Sequence, residues 1–232
     1  VPQLMKQAIL AAEDERFYQH GGVDYMGVLR AASGNLVSGR NQSGASTITM
    51  QVAKNFFLSS EKTFTRKFNE ALLAFKIEHN LSKDQILELY VNQIYLGQRA
   101  YGFAAAALTY YGKPLKALSV GEFAMLAGLP KAPSSYNPVV NPDRARLRQR
   151  YVLRRMKELN FITEDQYQQA VEEPIRLATR KEDFSVPAQY VAEMVRQIMV
   201  SRYQEAAYTQ GFRVYTTIRS DHQQWAFDAL RD

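Results

Sequence analysis

The chain has 232 residues, of which 46% are hydrophobic and 22% charged, a composition typical of folded proteins that excludes intrinsic disorder. Lys and Arg number 29 against 23 Asp and Glu, and the resulting charge of +6 favours anionic partners such as nucleic acid, phosphorylated ligands or a membrane surface. The absence of cysteine excludes disulfides, thiol catalysis and iron–sulfur clusters. The sequence contains no apolar run of about 18 residues, so no membrane-spanning helix is predicted.

The predicted elements are mainly helical. Capping boxes, in which Ser or Thr is followed three residues later by Glu or Gln, mark three helix starts at Ser82, Ser119 and Thr163. A polar Gly/Ser loop covers residues 38–50. In chain order, helices are predicted over residues 1–20, 24–37, 65–80, 82–96, 103–111, 119–129, from 141 onwards, 163–173 and 187–203.

A change of pattern after Pro174 predicts a domain boundary. Residues 175–186 are typical of a linker, and residues 211–219 are β-branched and alternating, which predicts a strand. The chain is therefore divided into a main helical domain, residues 1–174, and a short α/β segment, residues 175–232.

Glu13 is the first candidate for chemistry. On a helix, its neighbours four residues away are Ile9 and Phe17, so the carboxylate lies on an apolar stripe. Burial there would raise its pKa, as a general acid or base near neutral pH requires. The alternative is an ordinary surface side chain within the acidic cluster Glu13, Asp14 and Glu15.

Glu70 is the second candidate, because Arg66 and Lys67 precede it by four and three residues and share its helix face. One interpretation is a simple salt bridge at the surface. The other is that Glu70 is held among cations that bind phosphate. The loop over residues 44–51 offers hydroxyl and backbone N–H groups to an anion or a sugar, and Lys54 lies on the same face if a helix begins there.

Residues 144–157 are strongly cationic. The usual outcome for such a run is a solvated helix face. Binding of nucleic acid is the alternative, but the run lacks the interleaved aromatic side chains on which bases stack.

Five motifs occur in order between residues 13 and 153. They are Glu13-Asp14-x-x-Phe17-x-x-His20-x-Gly22, Gly44-x-Ser46-Thr47-Ile48-Thr49-x-Gln51, Arg66-Lys67-x-x-Glu70, Lys83-x-x-Ile86-Leu87-x-x-Tyr90-x-Asn92 and Arg148-x-x-x-Val152-Leu153. Their order and spacing resemble those of peptidoglycan glycosyltransferases, the lysozyme-like polymerase domains of class A penicillin-binding proteins. Residues 212–218 are similar to the linker that leads to the transpeptidase domain of bifunctional members. Met50, Lys62 and Val91 depart mildly from the family pattern, and only Lys62 stands at a plausible phosphate contact.

The resemblance implies polymerisation of lipid II, a disaccharide-pentapeptide on a polyprenyl pyrophosphate. Glu13 would be the general base that removes the proton from the acceptor 4-hydroxyl, and polyprenyl pyrophosphate would leave with inversion to a β-1,4 bond. Glu70 would be the second catalytic carboxylate, and it would either orient cations or help to hold a divalent cation, Mg or Mn. No organic cofactor is implied. The other residues implied to bind substrate or to support the base are Asp14, Phe17, His20, Ser46, Thr47, Gln51, Lys54, Arg66, Lys67, Asn92 and Arg148.

The implied fold is a mainly α, lysozyme-like fold with a large lobe and a small membrane-facing lobe formed by residues from about 24 to 60. The implied location is the outer, periplasmic face of the bacterial cytoplasmic membrane, with the anchor outside this chain. Expected partners are lipid II, the growing glycan strand, the membrane surface and a downstream transpeptidase domain, but not nucleic acid. Three alternatives stay open. The first is a lytic enzyme on the same fold, and the second is a non-enzymatic module that binds nucleic acid or anionic lipid through residues 144–157. The third is a family member whose isolated domain is inactive without its anchor.

Overall fold

The computed structural model describes residues 1–27, 29, 46–57, 64–178 and 188–230. The predicted, mainly α fold is confirmed, and the described residues contain no β-strand. The helices are α1 (Gln3–Glu13), α2 (Ile48–Phe57), α3 (Phe64–Asn80), α4 (Lys83–Gln93), α5 (Phe103–Tyr111), α6 (Val120–Gly128), α7 (Pro142–Glu158), α8 (Glu164–Glu172), α9 (Gln189–Tyr203), α10 (Ala206–Thr209) and α11 (Ser220–Ala229). Short 3-10 turns occupy Phe17–Gln19, Leu115–Ala117 and Leu129–Lys131.

The chain divides into two compact units, Val1–Ala178 and Thr179–Asp232. In the first unit, α6 packs against α1 and α7, and α2 packs against α3 and α4. Buried apolar side chains from these helices form one core, with Ile9, Phe103 and Leu126 fully buried. The division falls close to the predicted boundary near residue 174, and the roles assigned to the two parts stay predictions.

Local capping explains where several helices begin and end. Ser82 Oγ accepts a hydrogen bond from the Gln85 backbone N–H at 3.3 Å, while the Gln85 side chain accepts one from the Ser82 N–H at 2.8 Å. The same reciprocal arrangement occurs at Ser119 and Thr163, which confirms all three predicted capping boxes. Gly112 ends α5 with φ of 64°, a left-handed conformation that glycine adopts without steric cost.

Helix α1 ends at Glu13, so the prediction of one helix over residues 1–20 is wrong. Asp14 leaves the helical conformation with φ of −161°, and Phe17 lies in the following 3-10 turn rather than on α1. The physical reason is that the Asp14 carboxylate binds groups outside the helix, namely the His20 ring and the Ile48 backbone N–H. Glu13 is thus the last residue of α1, at the point where the chain turns.

The strand predicted over residues 211–219 is also wrong. That segment has no regular secondary structure and is exposed, and it precedes α11. Residues with high β-propensity form a strand only when another strand pairs with them, and no such partner exists among the described residues. The described residues after 174 therefore consist of helices and irregular stretches, and the α/β segment that was predicted is not found among them.

Parts of other predictions lie outside the described residues. They include most of the helix predicted over 24–37 and of the loop over 38–50, much of the small lobe, and Lys62. The last three residues of the predicted loop belong to α2, which starts at Ile48. Across the described ranges, every helix is too short or too polar to cross a membrane.

Candidate active site

A polar groove of about 650 Å³ opens on the first unit, beside the end of α1. Its floor is formed by residues 11–15, and one wall by side chains from the start of α2 and from α3. Side chains of α7 and of the turn Leu129–Lys131 form the opposite wall. Of the thirteen predicted site residues, ten line this groove: Glu13, Asp14, Ser46, Thr47, Gln51, Lys54, Arg66, Lys67, Glu70 and Arg148.

The Glu13 carboxylate lies between the two walls. Gln51 Nε2 donates to Glu13 Oε2 at 2.9 Å, and Arg148 Nη2 lies 3.3 Å from Oε1. Tyr90 contacts Gln51 in turn, with its hydroxyl 3.4 Å from the amide oxygen, which orients the Gln51 amino group towards Glu13. Burial raises the pKa of Glu13, while Gln51, Arg148 and Lys131 act in the opposite direction.

Asp14 connects the end of α1 to the start of α2. One carboxylate oxygen accepts from the Ile48 backbone N–H at 3.0 Å, so Asp14 satisfies an N–H group at the first turn of α2. The other oxygen lies 2.9 Å from His20 Nε2. Because His20 Nδ1 accepts from the Gly22 backbone N–H at 3.2 Å, the ring proton is assigned to Nε2, which donates to Asp14.

Thr47 strengthens the same connection, since its hydroxyl donates to the Gly22 carbonyl at 2.5 Å. The loop from Asp14 to Gly22 is thereby fixed to the segment that carries Gln51 and Lys54. This arrangement sets the distance between Glu13 and the α2 wall of the groove.

Glu70 lies on α3, in a cluster of cations that belongs to the same wall of the groove as α2. Its side chain is 2% exposed; Lys67 Nζ lies 2.6 Å from Oε2, and Arg66 Nε lies 3.2 Å from Oε1. Lys67 also donates to Ser46 Oγ at 2.6 Å. The exposed side chain of Lys54 lines the same groove. These positive groups line the same groove as Glu13, an arrangement that favours an anionic ligand.

The remaining three predicted site residues do not line the groove. Phe17 is completely buried in the core, with Lys83 Nζ 4.4 Å from its ring centroid, and His20 binds Asp14. Asn92 is exposed at the end of α4, away from the groove residues. Phe17 and His20 thus contact the protein near Glu13, and direct substrate contacts by these three residues stay a prediction.

Sequence reasoning found Arg148 on the α7 wall and missed the other residues of that wall. Tyr151, Arg154, Arg155 and Glu158 all line the groove, as does Lys131 after Pro130. Arg155 forms ion pairs with Glu15 and Glu158. Counted from Tyr151, the other three α7 residues follow at three, four and seven positions, a spacing that is visible in the sequence. Spacing alone does not distinguish the wall of a groove from a solvated helix face.

Comparisons with known proteins agree with this site. The sequence model of a family described as Transglycosylase matches residues 1–157. Penicillin-binding protein 1A of Neisseria cinerea is 63% identical over 230 residues, which are 99% of this chain and 29% of that protein. The protein of the same name from Pseudomonas aeruginosa is 56% identical over 232 residues, covering 100% of this chain and 28% of that protein.

A solved structure gives the same result. The crystal structure of penicillin-binding protein 1A from Haemophilus influenzae is 41% identical, with a TM-score of 0.57 over 77% of this chain and 24% of that one. The chain thus spans less than a third of the length of these relatives. It belongs to the transglycosylase family, and residues 1–157 are a transglycosylase domain of the kind found in penicillin-binding proteins 1A.

Proposed function

We propose that this transglycosylase domain polymerises lipid II into β-1,4 glycan strands of peptidoglycan. The observation that carries the proposal is the position of one buried carboxylate, Glu13, in a groove whose adjacent wall presents Lys54, Lys67 and Arg66. This arrangement supplies a base and an anion-binding wall within one site, which transfer of a sugar from a pyrophosphate carrier requires.

Glu13 is proposed to act as the general base. Burial raises the pKa of its carboxyl, which makes the carboxylate a better proton acceptor than an exposed one. It removes the proton from the acceptor 4-hydroxyl, and that oxygen attacks the donor anomeric carbon from the face opposite the pyrophosphate. A new C–O bond forms, the bond to the pyrophosphate oxygen breaks, and the configuration at the anomeric carbon inverts.

The cations of the α2 and α3 wall are proposed to stabilise the departing polyprenyl pyrophosphate. Negative charge grows on that group in the transition state, so positive groups already in place lower the barrier without reorganising. Lys67 is fixed by both Ser46 and Glu70, and this double attachment directs its ammonium group into the groove.

Glu70 is proposed to orient these cations rather than to hold a metal ion. Both of its oxygens already face positive side chains, and a divalent cation beside Lys67 and Arg66 would be repelled. The described residues also contain no group of three or more His, Asp or Glu side chains suited to a metal ion. Any Mg or Mn would therefore take most of its ligands from the pyrophosphate and from water.

The proposed location is the outer face of the bacterial cytoplasmic membrane. Tyr25, Met26 and Leu29 are each more than 60% exposed, and Phe56 is 44% exposed, all within the part expected to form the small lobe. Such apolar side chains suit contact with the surface on which a lipid-linked substrate is displayed. Because the relatives are more than three times longer, we place the anchor and a transpeptidase domain in the longer protein.

The test is incubation of the domain with labelled lipid II in detergent, followed by gel separation of the products. Glu13→Gln should lower the rate about 10²–10⁴-fold, the usual contribution of a general base. Glu164→Gln is the matched control, because that carboxylate is exposed on α8, where it pairs at the surface with Lys157 and Gln168. A polymer ladder that survives Glu13→Gln would remove Glu13 from this role.

The alternative of a lytic enzyme is tested with purified glycan strands as substrate. Such an enzyme needs no pyrophosphate site, so it leaves the Arg66, Lys67 and Glu70 cluster without a purpose. Release of fragments from glycan, with no polymer formed from lipid II, would favour it.

A further inference from the structure

Arg148 contacts the base from the α7 wall. Its side chain is 7% exposed, and Nη2 lies 3.3 Å from both Glu13 Oε1 and the Ala12 carbonyl oxygen. Arg148 Nε is buried and has no hydrogen-bond partner in this structure. A buried donor without a partner is destabilising, so holding Arg148 in this position costs stability at Nε. The contacts of Nη2 with Glu13 and with the Ala12 carbonyl oppose that cost.

Two residues confine Arg148 to this position. A Cβ atom placed on Gly128 would lie only 2.8 Å from Arg148 Cγ, so the end of α6 approaches the arginine more closely than any other residue type permits. The Tyr151 ring, one turn further along α7, lies 4.6 Å from the Arg148 guanidinium carbon. Neither residue belongs to the five sequence motifs.

We infer that Gly128 and Tyr151 hold the Arg148 guanidinium against Glu13, so that Arg148 acts through the base as a positioning residue rather than by binding substrate. A side chain at Gly128 would displace the aliphatic part of Arg148. Loss of the Tyr151 ring would release the guanidinium from the other side. Either change moves the positive charge away from Glu13 without altering any group that meets the substrate in the proposed reaction.

The charges around Glu13 make this displacement measurable. Asp14 is the neighbouring acid directly after α1, Tyr90 faces Glu13 from α4, and Lys131 faces it from the turn after α6. Gln51, its contact from α2, is uncharged. Among the described residues, Arg148 is the cation in direct contact with the carboxylate, so its displacement raises the pKa of Glu13 further.

The direct test measures the ionisation of Glu13 without turnover. The protein is labelled with carboxyl-¹³C glutamate, Glu13 is assigned by comparison with Glu13→Gln, and its shift is followed against pH. Arg148→Gln should raise the midpoint by about 1–3 pH units, the usual effect of one adjacent arginine. Gly128→Ala and Tyr151→Leu should raise it in the same direction by part of that amount.

Matched controls separate this effect from general disturbance. Gly21→Ala adds a methyl group where nothing lies within 4 Å, and Tyr151→Phe keeps the ring. Arg150→Gln removes an exposed positive charge from the same helix. All three should keep the wild-type midpoint. An unchanged midpoint in Tyr151→Leu and in any folded Gly128→Ala would overturn the inference, and if Gly128→Ala does not fold, Tyr151→Leu decides.

A second measurement depends on the proposed function. If the domain polymerises lipid II, the acidic limb of its pH–rate profile should move to higher pH in Gly128→Ala and Tyr151→Leu, since the base must be ionised. An inactive wild type with the expected midpoint shifts would contradict the proposed function alone. An active wild type with unshifted profiles would contradict the role of Gly128 and Tyr151.

Discussion

Replacement of Glu70 by Gln should destabilise the domain, because it leaves two cations without their shared carboxylate. Glu70 is 2% exposed, whereas Lys67 is 45% and Arg66 18% exposed. Breaking a fully buried ion pair costs about 3–5 kcal/mol, but exposed pairs contribute only about 0–1 kcal/mol. The exposure of the two ion pairs of Glu70 lies between those limits, and Gln keeps one accepting oxygen. We therefore expect a loss of about 1–3 kcal/mol in the free energy of unfolding.

The assay is thermal unfolding followed by circular dichroism, with Glu164→Gln as the exposed control. For a chain of this size, each kcal/mol lowers Tm by about 2–4 °C, so Glu70→Gln should lower Tm by about 2–12 °C. The control should stay close to wild type, because Glu164 pairs at the surface. A Glu70→Gln protein that melts with the wild type would refute the reasoning.

A double-mutant cycle with Lys67→Met then tests whether the loss comes from this pair. Lys67 Nζ lies 2.6 Å from Glu70 Oε2, a separation at which two residues are expected to couple. Removing the second partner should therefore cost less in the Glu70→Gln background than in wild type. Strictly additive losses would show that the burial of Glu70 serves some purpose other than pairing with Lys67.

Three further predictions concern Asp14, Gly102 and Glu13. Asp14→Ala removes the acceptor for the Ile48 N–H at the start of α2 and should lower the free energy of unfolding by about 0.5–2 kcal/mol in urea titration; an unchanged midpoint would contradict the capping role. Gly102 has φ of 78°, and a Cβ atom there would lie 2.5 Å from the Asn92 carbonyl oxygen. Gly102→Ala should therefore lower the free energy of unfolding by at least about 1–3 kcal/mol. The control Gly21→Ala should melt at the same temperature as the wild type. Burial raises the pKa of Glu13, so the folded protein binds this proton more tightly than the unfolded one. Wild-type stability therefore falls as pH rises from the ordinary carboxyl value through the folded pKa. Glu13→Gln lacks this loss, so its Tm relative to wild type should increase between pH 4 and pH 8, and the opposite trend would refute the prediction.

The helices that could be predicted accurately are those with local signals. A capping box involves residues three positions apart, so Ser82, Ser119 and Thr163 identify their helix starts without knowledge of the rest of the chain. The end of α1 has no such signal. It depends on the partners of Asp14, one of which is Ile48, 34 residues later. The apolar stripe from Ile9 to Phe17 therefore extended the predicted helix too far.

The strand predicted over residues 211–219 was wrong for a related reason. Alternating β-branched residues report a preference for extended backbone, but a strand also needs a partner with free N–H and C=O groups. Tyr203 and Phe212 instead bring this segment against α9, with ring centroids 4.7 Å apart. Periodicity reports a local preference and could not supply the pairing.

The same distinction applies to the site. Motif spacing identified Glu13 and Arg148 as members of one site, although 135 residues separate them, but it could not indicate the direction of the Arg148 side chain. A cation in a groove for an anionic substrate is naturally taken as a substrate ligand. Its contact with Glu13 and its confinement by Gly128 change that interpretation. On the proposed mechanism, the α7 wall would regulate the ionisation of Glu13, and the α2 and α3 wall would bind the pyrophosphate. One prediction separates the two walls: neutralising Lys54 should weaken the binding of inorganic pyrophosphate, measured by calorimetry, whereas Arg148→Gln should move the midpoint of Glu13 and leave that binding unchanged.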